Sequence, residues 1–207
     1  MSAFLGKIHY WLYNKITLQE KLIGEISALA QRKGFEIDPL IQDSYAKFGA
    51  PVTGELENEI EHSNIHGWLQ EQIIGVESRL AYLATELINM KVVSQEEIAN
   101  LFFADGEERG REQAGFSGSP EQCFQLIFDY MLEGMPCDRV NQIVSNTEEE
   151  MVWETTRDLH QPYWDNVGGD IENYYVFRNR WVEGFLSQSE FNYQRSNEGI
   201  NIISRRA

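Results

Sequence analysis

The chain has 207 residues, 42% of them apolar and 12% aromatic, which is enough to bury a sizeable core as one domain and too much for a disordered segment. Its 33 acidic against 17 basic residues leave a formal charge of −16, which repels phosphate backbones and anionic lipid, so neither nucleic acid nor a membrane surface is an expected partner. The opening MSAFLGKIHYWLYNK lacks the apolar core and small-residue cleavage site of a signal peptide, no uninterrupted apolar run approaches a membrane span, and Cys123 and Cys137 build no disulfide framework; a cytoplasmic protein with reduced thiols is expected.

Residues 4–33 carry Leu5, Ile8, Leu12, Ile16, Ile23, Ile26 and Ala30 at helical spacing, which predicts one long helix ended by Gly34. Asp38-Pro39 has the form of an N-cap followed by proline, so a short helix is expected over 39–48, stopped by Gly49 and Pro51. A second long helix is expected from Thr53 to about Val92, with Leu56, Ile65, Leu69, Ile73, Val76, Leu80, Leu83 and Leu87 as its stripe. Ser94-Gln95-Glu96-Glu97 reads as a capping box that opens a helix through Phe103. Residues 104–120, rich in glycine and in alternating charge, read as a loop or hinge.

Helix is expected again over 121–132, with a break at Gly134-Met135-Pro136. Asp138 can cap a short segment, and Ser145 or Thr147 followed by three glutamates reads as a further helix N-terminus, where acids suit the dipole. That helix should end near Gln161-Pro162. Gly168-Gly169-Asp170 hands over to a last helix at about 171–187, and the polar residues 188–207 read as a loosely held tail. No segment alternates at period two over a useful length. The expected fold is therefore all-α, a single helical-bundle domain over 1–187 with two long helices and several shorter ones.

The two long helices share a pattern. Ile8-His9-x-Trp11-Leu12-x3-Ile16-x3-Glu20 returns as Ile65-His66-x-Trp68-Leu69-x3-Ile73-x3-Glu77, six of thirteen positions at an offset of 57, so that 4–33 and 61–90 form an internal repeat. At about 100° per residue His9 and Glu20 fall within roughly 20° of each other at the border of the apolar stripe, and His66 and Glu77 do the same. Within one helix each pair is separated by roughly 16 Å of rise, so ligands must combine across helices. Parallel helices would set His9 level with His66 and Glu20 level with Glu77. Antiparallel ones would set His9 against Glu77 and Glu20 against His66.

Glu59-x-x-His62-x3-His66 is the densest group of possible ligands, all on one helical face if the helix is continuous. Carboxylate and imidazole together suit iron, manganese or zinc. The spacing resembles the carboxylate–histidine sites of ferritin-like di-iron bundles, although those need Glu-x-x-His on two helices and Glu59-His62 is the one such pair here. The expected metal ligands are thus His9, Glu20, Glu59, His62, His66 and Glu77, with His160 as a further ligand or a helix C-cap. Cys137, at an expected helix start, is a candidate reactive thiol, and Cys123 reads as a buried small residue. Arg109 and Arg111 could hold an anionic group of a substrate.

No P-loop, GxGxxG, HExxH, CxxCH or GxSxG occurs. With no nucleophile and base pair in view, a catalytic role would be redox or oxygen-handling rather than hydrolytic. Two other readings stand beside the metal site: an acidic, non-enzymatic interaction protein, as a homodimer or bound to a protein partner, and a helical pocket for an apolar cofactor such as a haem or flavin, framed by Trp11, Trp68, Trp153, Trp164, Trp181, Tyr174, Tyr175 and Phe177.

Overall fold

A computed structural model describes residues 5–113, 118–196 and 198–206. In chain order its elements are α1 (Lys7–Arg32), α2 (Asp38–Phe48), α3 (Leu56–Glu59), α4 (Ile65–Asn89), α5 (Gln95–Glu112), α6 (Pro120–Tyr130), a 3₁₀ turn (Pro136–Asp138), β1 (Asn141–Asn146), β2 (Glu150–Thr155), α7 (Gln161–Asn166), α8 (Ile171–Phe185), β3 (Phe191–Arg195) and β4 (Ile200–Arg205). The fold mixes helices with a four-stranded antiparallel sheet, which corrects the all-α expectation. No helix among the described residues is long and apolar enough to cross a membrane.

The elements fall into two compact units. The first takes the described residues of Met1–Ser94 with Leu132–Pro136 and His160–Asp170; the second takes those of Gln95–Met131, Cys137–Leu159 and Ile171–Ala207.

In the first unit α4 is the central helix. It packs against α1, α2 and α7, and every residue from 75 to 85 is buried. Leu12, Ile16, Ile23, Ile26 and Ala30 of α1 and Leu69, Ile73, Val76, Leu80 and Leu83 of α4 are core, as the helical stripes predict. The repeat carries equivalent burial: Leu12 and Leu69, and Ile16 and Ile73, are buried alike. The two helices run parallel, because His9 meets His66, Glu20 meets Arg79 and Lys33 meets the Val92 carbonyl, each at a separation of 57 or 59 residues.

The second long helix is shorter than its periodicity implies. After the single turn α3, Ile60 is extended, and Asn64 leaves helical geometry to cap α4, its side chain accepting the Gly67 N–H at 3.2 Å. Gly67 is where the cap makes room for itself: a Cβ there would collide with the Asn64 side chain.

In the second unit α5 and α8 lie backbone against backbone. A Cβ on Gly106 would fall on the Trp181 carbonyl, one on Gly110 on the Phe185 carbonyl, and one on Gly184 on the Phe103 carbonyl. Of the glycines expected to make a hinge at 104–120, Gly106 and Gly110 are thus small residues on a helix face, and α5 runs on to Glu112 because that contact repays their poor helix propensity; the part of the expected hinge at 114–117 lies outside the described residues. Arg109 and Arg111 sit on this helix in ion pairs with Asp105 and Glu112, and with Glu107.

The sheet of the second unit has the order β1-β2-β4-β3, with α6 against β2 and β4 and α8 against β3. On its covered face Met151 pairs with Ile203 and Trp153 with Asn201, all fully buried. Trp153 meets Phe124 and Phe128 edge-on at 4.9 and 6.0 Å, and stacks on Tyr193 at 6.2 Å. Asn201 is satisfied where it lies: its amide donates to the Gly199 carbonyl at 2.9 Å and its oxygen accepts the Tyr193 hydroxyl at 2.8 Å.

The helix expected from Ser145 or Thr147 to about 161 is instead the β1–β2 hairpin, and the expected tail contributes β3 and β4. The reason is local. The Thr147 hydroxyl accepts the N–H groups of Glu149 and Glu150 at 3.3 and 3.0 Å, the same reach forward that makes a helix N-cap, but here it closes a hairpin turn.

Candidate functional site

Two of the expected metal-ligand carboxylates have hydrogen-bond partners of their own. Glu20 receives the Arg79 guanidinium, from Nε at 3.1 Å and from Nη2, both on the single oxygen Oε1. Nη1 of Arg79 donates to the Gly49 carbonyl at 2.6 Å and to the Phe48 carbonyl at 3.3 Å, so this side chain, 2% exposed, ties α1, α4 and the C-terminal end of α2 together. Burial raises the Glu20 carboxyl above the usual carboxylate range, and Arg79 opposes that shift.

Glu77, 1% exposed, takes His160 instead, Nδ1 to Oε2 at 3.1 Å. His160 is the N-cap residue of α7, at a helix start rather than at the end expected from its sequence. The two glutamates of the repeat, level in the parallel arrangement, therefore do not share a site.

The histidines of the repeat do meet. Nδ1 of His9 accepts the Gly6 N–H at 2.9 Å, which leaves its ring proton on Nε2, facing Nε2 of His66 at 3.3 Å. Burial, and then the neighbouring His66, hold His9 below the usual imidazole value. His62 lies outside α4, with Nε2 3.3 Å from the Glu57 carbonyl, and Glu59 ends α3. The break between α3 and α4 removes the common helical face that Glu59, His62 and His66 were expected to share. Among the described residues no three His, Cys, Asp or Glu side chains converge on a point that could hold a metal ion, which corrects the metal-binding description drawn from the repeat. Cys137 is exposed in the 3₁₀ turn, and Cys123 is buried, its thiol pushed up to about 12 chiefly by burial.

What the first unit does present is a cleft of about 430 Å³, lined by α1, α2, Pro51, Val52, Thr53 and Leu83 of α4. Its walls are mostly apolar: Ile23, Ile41, Pro51, Val52 and Leu83. The Thr17 and Ser27 hydroxyls on α1 are turned back to carbonyls of their own helix. Glu20 lies in the wall, and its second oxygen, Oε2, has no partner among the described residues. The Tyr45 hydroxyl likewise has none. Among the described residues no histidine, cysteine or second carboxylate lines the cleft, and neither do the aromatics expected to frame a flat cofactor. Trp153, Trp164 and Phe177 are fully buried core residues instead.

Of these residues only Glu20 was expected at a site by sequence; Ile23 and Leu83 were expected as stripe residues. Arg79 was legible as the one base between the stripe residues Val76 and Leu83, a position that demands a buried partner. Pro51 and Thr53 were read only as a helix stop and a helix start, and Pro51 to Thr53 become walls through the course of the chain.

No family model, curated protein or solved structure matches this chain.

Proposed function

We propose that the first unit is a binding module for a small, largely apolar molecule, held in the cleft between α1, α2 and residues 51–53. The observation that carries this reading is Gly24. It sits in the middle of α1, where glycine costs about 1 kcal/mol relative to alanine, and a Cβ built on it meets nothing within 4 Å. No close neighbour requires a glycine there, yet any larger side chain would narrow the cleft that Gly24 lines. A volume of about 430 Å³ with apolar walls and few polar groups also falls in the range of small-molecule sites. The two cysteines, both free, accord with a cytoplasmic setting, and the charge of −16 disfavours nucleic acid as a partner.

The test is a titration with a neutral apolar fluorophore, phenylnaphthylamine, on the wild type and on Gly24→Leu. Saturable binding that Gly24→Leu removes, while the variant unfolds no more readily than wild type, is the expected result. Equal binding by both proteins, or none by either, would sink the reading.

A further inference from the structure

The cleft has a length as well as a volume. Half of its lining comes from α1, from Thr17 to Ser27, whereas α2 supplies Ile41 and Tyr45 and α4 supplies Leu83. Ten residues of helix rise by roughly 15 Å, so the cleft is a groove that follows α1 for almost three turns while α2 and α4 cross it within a turn or less. Thr17, Glu20, Gly24 and Ser27 fall within about 80° of one another around the helix axis, which makes them a single straight floor.

That floor offers few polar groups to a ligand. Gly24 near its centre has no side chain, and a Cβ there would meet nothing within 4 Å. The Thr17 and Ser27 hydroxyls near the two ends donate to carbonyls of their own helix, and the Glu20 carboxylate is paired with Arg79. The facing walls, Ile41, Pro51, Val52 and Leu83, are saturated, and among the described residues Tyr45 is the one aromatic side chain of the lining.

Length and chemistry together narrow the occupant. A fused ring system is wide and gains by stacking on aromatic faces, of which the groove has one. A saturated chain is narrow, needs no hydrogen-bond partner along its length, and gains a similar amount from each methylene it takes out of water. At about 1.25 Å of advance per carbon, an extended chain covers such a groove with roughly twelve carbons. The charge of −16 repels anionic lipid surfaces, which favours a free single-chain molecule over a membrane lipid as the source of that chain.

Resting on the binding reading above, we infer that the cleft takes one extended alkyl chain of roughly twelve carbons, laid along α1 over Gly24 with its polar end in solvent. Gly24 is then the residue that lets the chain pass, and the span from Thr17 to Ser27 sets its length.

The probes are octyl, decyl, dodecyl and tetradecyl maltoside, each kept below its micelle concentration, with 4-cyclohexylbutyl maltoside as a wider body of the same carbon count as decyl. They are titrated calorimetrically into wild type, Thr17→Phe and Gly24→Leu. Affinity for wild type should tighten roughly fourfold per methylene up to dodecyl and then level off, with cyclohexylbutyl several-fold weaker than decyl. In Thr17→Phe the levelling should come at a shorter chain, and Gly24→Leu should bind none of the probes. Affinity that does not grow with chain length, equal binding of cyclohexylbutyl and decyl, or an unchanged levelling point in Thr17→Phe would overturn the alkyl chain and leave the cleft standing. So would phenylnaphthylamine binding with no maltoside bound. Co-sedimentation with phosphatidylcholine vesicles that Gly24→Leu removes would overturn the free chain in favour of a membrane lipid. No binding of any maltoside or of phenylnaphthylamine would remove the cleft reading itself.

Discussion

The two units solve the problem of a buried polar group in different ways. The first unit buries a carboxylate–guanidinium pair, Glu20 with Arg79, and a hydrogen-bonded pair, Glu77 with His160, in its helical core, and leaves a cleft beside the first of them. The second meets its buried charge with neutral acceptors: Arg178 of α8 donates to the Tyr193 hydroxyl at 2.8 Å and to the Asn201 side-chain oxygen at 3.5 Å. It fills that layer with Trp153, Phe124, Phe128 and Tyr193, and seats the one buried amide, Asn201, among hydrogen-bonding neighbours. It closes α5 on α8 through glycines rather than through interlocking side chains. A charged pair holds distant chain segments together but fails badly when one partner goes. A close-packed glycine seam fails when anything is added.

The largest expected effect tests the charged core. Arg79→Ala leaves Glu20 without its partner and the Phe48 and Gly49 carbonyls without a donor, and should lower unfolding free energy by about 3–5 kcal/mol in urea titration. The double variant Glu20→Met/Arg79→Met should recover much of that loss, because no lone buried charge remains; a double variant as unstable as Arg79→Ala would show that the carbonyl contacts matter more than the charge.

The glycine seam comes next. Gly184→Ala pushes a methyl group onto the Phe103 carbonyl and should cost about 1–3 kcal/mol, while Gly24→Ala, in open space at the cleft, should add up to about 1 kcal/mol. Opposite signs for the same chemical change in two helices would show in the melting temperatures of the two variants.

A smaller effect concerns pH. Burial puts the folded-state pKa of Glu20 above its unfolded value, so the stability that comes from proton uptake is full below the unfolded value and is lost as pH rises through the folded one. Glu20→Gln should lack that decline between mildly acidic and neutral pH, read from urea midpoints. A parallel pH profile for the two proteins would mean that Glu20 is not desolvated.

The smallest concerns reactivity alone. At pH 8 a thiol reagent should label Cys137 quickly, and Cys123 only on unfolding, because burial pushes that thiol up to about 12. Two equally fast thiols would show that the sheet layer is open.

The places where sequence and structure part follow from the same contrast. Helical stripes on α1 and α4 were readable because each buries one face over many turns, and their repeat carried equivalent burial with it. The strands were not readable. β2 buries only Met151 and Trp153, the inward position paired with Trp153 is an asparagine, and the turn before β2 uses the same threonine and acidic residues that open a helix. The glycines of α5 mislead in the same way, since a residue that breaks an isolated helix also allows two helices to touch.

At the site, the burial of Glu20 and Glu77 near the apolar stripe was set by a spacing of eleven residues, and the need for partners followed from the cost of burying charge. Which partners they take was decided by tertiary structure alone. Glu77 meets a histidine 83 residues away, Glu20 an arginine 59 residues away, and the cleft opens where Pro51 to Thr53 cross beside Gly24. Periodicity states which face a side chain lies on. The neighbour that face receives depends on the path of the whole chain, and local spacing carries no information about that path.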